Sequence, residues 1–156
     1  MAGRIEARLK ELGIVLPAGS TPIANYVSYV TMGNTVFVSG QIPRGPDGKP
    51  AYLGKLGGNI SVEDGKKAAR LCGISLIGHA KAACGGDLDR VKRVVKLGGF
   101  VSSTADFVDH PSVINGASDL MVEVFGEAGR HARFAVGVAD LPVNVCVEVD
   151  GIFEIA

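Results

Sequence analysis

The sequence lacks an excess of charge of either sign. Its 16 Lys and Arg match 16 Asp and Glu, for a formal net charge of zero and a pI of about 6.8. A chain so balanced has no global field with which to gather nucleic acid or an anionic membrane surface, so neither partner is expected. The local exception, Arg90 to Arg93 with Lys96, reads as the solvated start of a strand rather than a phosphate site. Long apolar runs are missing too: none approaches the roughly 20 residues that a membrane span needs. Arg4, Glu6, Arg8, Lys10 and Glu11 interrupt the opening segment, so no signal peptide is expected there. Cysteine is scarce, at three, an odd number without metal-like spacing, and His79 has no second histidine or carboxylate at ligand spacing. The expectation is no metal, a packing or surface role for His79, and a reducing cytoplasm in which Cys72 and Cys146 act as small buried hydrophobes. No internal repeat or domain linker interrupts the chain.

What is present is apolar: 47% of 156 residues are hydrophobic, enough to bury a sizeable core in one domain over residues 1–156. Glycine is plentiful at 22, which implies tight turns or close backbone approaches. Residues 2 to 12 place Ile5, Leu9 and Leu12 on one helical face ahead of Gly13, and with the loop that follows they make residues 1–20 an N-terminal extension. Tyr26 to Met32 and Thr35 to Ser39 read as a hairpin about Gly33-Asn34 that delivers Ser39-Gly40-Gln41 to a sheet end. Gly45 to Gly58 is too rich in breakers for more than a short strand and reads as a flexible rim. Ser61 caps a helix that buries Ala68, Cys72, Leu76 and Ala80 and stops at Gly85-Gly86. Val91 to Ser103 reads as a central strand, with Gly98-Gly99 marking a bulge or close approach. Asp109 and Pro111 open a second helix burying Val113, Ala117, Leu120 and Val124. This order predicts an α+β fold, a mixed sheet with two helices on one face. The opposite face, also rich in valine, is expected to be covered by another copy of the chain.

The end of the chain, His131 to Glu154, alternates apolar residues through Phe134, Val136 and Val138 and again through Val145, Val147 and Val149. With Leu141-Pro142 between them, the two runs read as a hairpin. Arg133 and Glu148 are charges set deep in these apolar runs, where a charge is paired, at a rim, or binding something. Their separation is odd, so they face each other in one register and lie on opposite faces after a slip of one residue. Two readings stay open: a cross-strand ion pair, or a cation that holds a small carboxylic acid beside a carboxylate that moves its proton. Asn115, near the start of the second long helix, is either a solvated helix residue or one reaching the sheet edge.

The chain resembles the RidA/YjgF family, the small Rid proteins also filed as imine or enamine deaminases and, in older naming, as L-PSP endoribonucleases. The resemblance covers about residues 23 to 156. It rests on Tyr26, Gly33-Asn34, the VSGQIP run from Val38 to Pro43, Ala132-Arg133, and the LPVNVCVEVDGIFE end with Glu148. It implies a chorismate-mutase-like subunit in a homotrimer with a central barrel and ligand clefts between subunits. It also implies that Arg133 holds the carboxylate of a 2-imino acid and that Glu148 positions the attacking water. Tyr26, Ser39 and Gly40 match pocket-lining positions, and Asn115 is assigned with them. Ala24-Asn25 stands where the family has Gly-Pro, Phe134 where it has a small polar residue, and Ala135 where some members have cysteine, so the pocket is reshaped.

The resemblance makes hydrolytic deamination of 2-imino acids, without metal or cofactor, the leading expectation. The alternative is a non-catalytic module that binds a small carboxylate and reports it to a partner, with Glu148 only structural. An endoribonuclease, implied by the old family name, is disfavoured by the neutral charge and the lack of a histidine pair.

Overall fold

The computed structural model describes residues 3–18 and 24–156; the expected loop from Pro17 to Pro22 therefore lies largely outside the described residues. Five strands, β1 (Tyr29–Met32), β2 (Thr35–Gln41), β3 (Val91–Ser102), β4 (Ala132–Val138) and β5 (Val147–Ile155), form one mixed sheet in the order β1-β2-β5-β3-β4. Among the described residues three α-helices accompany it, α1 (Arg4–Glu11), α2 (Val62–Ala83) and α3 (His110–Phe125), in an α+β fold. Among the described residues no helix is long and apolar enough to cross a membrane.

The largest departure from expectation is at the C-terminal end. β4 and β5 are not a hairpin: β3 lies between them, parallel to β4 and antiparallel to β5. A parallel partner must be reached by a crossover, and α3 supplies it. The link from β4 to β5 therefore has to pass the end of β3. It does so through a short 3-10 turn, Pro142–Asn144, in which Val143 and Asn144 take positive φ. Segment 52–56 secures that link, because Gly54 N–H donates to Asn144 O at 2.8 Å and Cys146 N–H to Tyr52 O at 3.1 Å. The stretch expected to be a rim is thus partly core: Leu56 is fully buried and its N–H donates to Ser102 O.

Elsewhere the local signals hold, with shifted bounds. The first strand starts at Tyr29 rather than Tyr26, which sits in a bend. Ser61 Oγ caps α2 by accepting from Asp64 N–H at 3.1 Å, whereas Asp109 occupies the α3 cap position without a side-chain bond. The register of β3 shifts between Val91 and Arg93 and between Val94 and Lys96, while Gly98 and Gly99 mark close approaches instead. All three cysteines are buried free thiols.

Apolar side chains of α2 and α3 meet Val36, Val149, Phe153, Leu97 and Val101 in one core. Small residues let the helices approach closely: Gly73 lies against Ala117 and Leu120, and Gly116 against the Lys66 backbone. Helix α1 packs on the end of this layer. Ile5 and Leu9 are buried, and the Asp89 carboxylate accepts from Arg4 N–H and Ile5 N–H at 2.8 Å each, capping a helix 85 residues upstream of it. Those two backbone bonds, Ile5's first, hold the Asp89 carboxyl below its ordinary pKa. Its stabilising contribution is present above the usual aspartate range and lost as pH falls through the lowered value.

At Gly116 an added Cβ would stand 2.8 Å from the Lys66 carbonyl carbon, which rigid helix backbone cannot avoid. Gly116→Ala is therefore expected to cost about 2 kcal/mol or more despite alanine's better helix propensity, measurable by denaturant unfolding.

Candidate functional site

Arg133 does not face Glu148. On β3, Arg133 is level with Leu97 and Glu148 with Phe100, an odd step along the strand, so the two point to opposite faces of the sheet. Of the two arrangements left open by the sequence, the opposite-face one holds: within one chain they form neither an ion pair nor a joint pocket. Each instead gathers its own surroundings.

Arg133 turns to the helix face at the edge strand. Its Nη1 donates to Asn115 Oδ1 at 2.8 Å and to Ser118 Oγ at 3.1 Å, and Nη2 reaches Pro111 O at 3.4 Å. Asn115 thus takes the sheet-edge role rather than the solvated one. The chain of bonds continues: His131 Nδ1 lies 2.6 Å from Gly129 O, and Ser118 Oγ lies 2.9 Å from His131 Nε2. A carbonyl can only accept, so in the neutral ring Nδ1 carries the hydrogen and Nε2 accepts from the Ser118 hydroxyl. Ser118 oxygen then accepts from Arg133, and every bond runs in a consistent donor-to-acceptor direction. The guanidinium plane is fixed, with Nε left unengaged by the described residues. Ser118 and His131 escaped the sequence reading, although Ser118 shares a helix face with Asn115 at i, i+3.

Glu148 turns to the open face, over Gly40. A Cβ at Gly40 would lie 2.5 Å from Glu148 Oε1 and 3.0 Å from Cδ, so only glycine lets the carboxylate settle on β2. Burial, and secondarily the Asp150 charge, push the Glu148 pKa up. No cation among the described residues pairs with it. Asp150, also raised chiefly by burial, sits over Gly98 beside Phe134, whose ring meets Phe100 edge to face at 5.2 Å and lies under the Lys96 ammonium at 5.5 Å. Ser39 Oγ donates to Val27 O at 2.7 Å, which ties β2 to the segment bearing Tyr26, itself exposed. The candidate residues thus fall into two groups: Arg133 with Asn115, and Glu148 with Gly40, near Ser39 and Tyr26. Among the described residues no His, Cys, Asp and Glu gather as a metal site.

The comparisons agree over nearly the whole chain. Residues 6–154 match the family described as "YjgF/chorismate_mutase-like, putative endoribonuclease". Protein TCP17 of Trypanosoma cruzi is 51% identical over 99% of this chain and 96% of its own length. A 2-iminobutanoate/2-iminopropanoate deaminase of Dermatophagoides farinae is 30% identical over 91% of this chain and 94% of its own. The crystal structure of Atu1372 from Agrobacterium tumefaciens superposes with a TM-score of 0.91 at 49% identity, covering 97% of this chain and 92% of that one. On this agreement of sequence and fold, the chain belongs to the YjgF/RidA family.

Proposed function

We propose that the protein hydrolyses reactive 2-imino acids, or their enamine tautomers, to keto acids and ammonia, in clefts shared between copies of the chain. The observation that carries this reading is the state of Glu148: a half-buried carboxyl pressed on Gly40, with a raised pKa and no cation against it. Raising the pKa towards neutrality suits a group that must take a proton and give it back. Water attacks the imine carbon and passes a proton to Glu148. Glu148 gives that proton to the nitrogen, forming the carbinolamine. It then takes the hydroxyl proton and passes it to the nitrogen as the carbonyl forms and the C–N bond breaks, and ammonia leaves. The reaction is redox-neutral and calls on no cofactor. Arg133, its fork already held in plane, suits two parallel bonds to the substrate carboxylate, where lysine would give a point charge. Tyr26, Ser39 and Gly40 would line the Glu148 side, and the name of the mite relative supports the chemistry.

A substrate touching both Arg133 and Glu148 has to draw them from different copies, since one sheet turns them to opposite faces. The open face supports such an assembly. Val30, Met32, Phe37 and Val136 are 53%, 68%, 41% and 42% exposed on it, an apolar surface that a homotrimer closing into a central barrel would cover.

The protein should speed keto-acid release from 2-iminopropanoate generated in situ, and folded Glu148→Gln should lose roughly 10²- to 10⁴-fold of that acceleration. No acceleration with any small imino acid would leave the cleft as a binding module. Co-expressed Arg133→Ala and Glu148→Ala chains, each inactive alone, should regain partial activity as mixed oligomers, because some clefts then hold both groups. Activity that never returns in verified mixed oligomers would place both groups' action within one chain. Stability gives a third check. With its native pKa raised, ionised Glu148 costs stability above that value, and the cost fades as pH falls through it. Glu148→Gln should therefore melt higher than wild type near neutral pH, with the gap narrowing in acid.

A further inference from the structure

A cleft on the helix side of the fold touches neither Arg133 nor Glu148. Leu71, Ile74, Ser75, Gly78 and His79 fall on one stripe of α2 and form a wall of a cavity of about 820 Å³, within the range of small-molecule sites. The segment from Val15 to Ala18 crosses this wall, where Pro17 O stands 3.5 Å from the position of a Cβ on Gly78, and the Arg44 to Gly48 turn closes the third side.

The walls are mainly apolar, with polar groups at two places. At the floor, His79 is only 6% exposed, and its Nε2 lies 3.2 Å from Gln41 Oε1. Gln41 Nε2 donates to Ser39 O at 2.9 Å, which orients the amide so that its oxygen meets the imidazole. His79 Nε2 must therefore carry the hydrogen. Burial lowers the His79 pKa and so favours the neutral ring, in which Nδ1 is the remaining acceptor. At the rim, Arg44 Nη1 donates to Gly48 O at 2.9 Å, and no carboxylate among the described residues pairs with this guanidinium. No Asp or Glu stands among the described lining residues. A cationic ligand would find no counter-charge here, and the several charges of a nucleotide would meet a single arginine.

We propose that this cleft binds a monoanionic organic acid with an apolar body, its carboxylate on Arg44 and its chain or ring between α2 and the Val15 to Ala18 segment. Gln41 is level with Val149 on the helix face, whereas Glu148 lies on the opposite face, so this site is separate from the proposed imine chemistry.

Octanoate, octanol and octylamine, titrated into the full chain and followed by amide chemical shifts, test the proposal. Octanoate is expected to shift the amides of Gln41, Ser75 and Gly78 saturably. Arg44→Ala should weaken octanoate about tenfold, the loss of one charge-assisted contact, and leave the weaker octanol unchanged. Gly78→Leu should block the cleft. Its Cβ meets only ordinary contacts, and Ser75→Phe serves as a second filling variant should the first fail to fold. The proposal is overturned if octanoate does not bind, if its shifts map to Val30, Phe37 and Val136 on the open face, if octylamine binds as tightly, or if a folded cleft-filling variant leaves octanoate affinity unchanged.

Discussion

The parallel pairing of β3 with β4 governs where every candidate side chain ends up. A parallel neighbour cannot be reached by a tight turn, so the chain must cross back over one face of the sheet. Here α3 makes that crossing and comes down above the edge strand it leads to, which sets Asn115 and Ser118 on Arg133. Had β4 folded back on β5, Arg133 and Glu148 could have neutralised each other. With β3 between them, each charge is held separately, one by neutral acceptors and one by burial.

Missing side chains matter as much as present ones in that arrangement. Gly40 gives Glu148 its seat, Gly98 gives Asp150 and Phe134 theirs, and Gly137 leaves space for the 3.1 Å contact between Ser103 Oγ and His110 Nε2. Polar groups are thereby drawn into a sheet whose other positions are largely β-branched or aromatic. A carboxylate sunk in such a surface trades hydration for proximity to its neighbours, and the raised pKa values of Glu148 and Asp150 record that exchange.

Much of this was legible in the sequence where the signal is local. The α2 cap at Ser61, the buried faces of α1 and α3, and the Gly33-Asn34 turn follow from spacing and turn chemistry alone. The partner of a strand is not local information. The alternation from Phe134 to Val138 is the same whether the strand pairs with the next strand or with one before the preceding helix, and the short Leu141 to Asn144 link argued for the wrong neighbour. Leu56 was hidden for a related reason: its glycine-rich surroundings read as loop, and only the need to carry the chain past the end of β3 makes it core. For the candidate site, charge set in apolar strands singled out Arg133 and Glu148 and family likeness gave them roles, but the bonds that hold Arg133 depend on a helix crossing that no residue pattern announces.

The Asp89 cap has a bearing on how the chain assembles. Helix α1 is eight residues long, too short to persist in water by itself, and its cap is supplied by a carboxylate that lies beyond the whole of α2. During synthesis the segment would emerge well before the residue that completes it, and could dock only once the central part of the chain had folded. The first helix of the sequence is then among the last to become permanent, and acid strong enough to protonate Asp89 would loosen it.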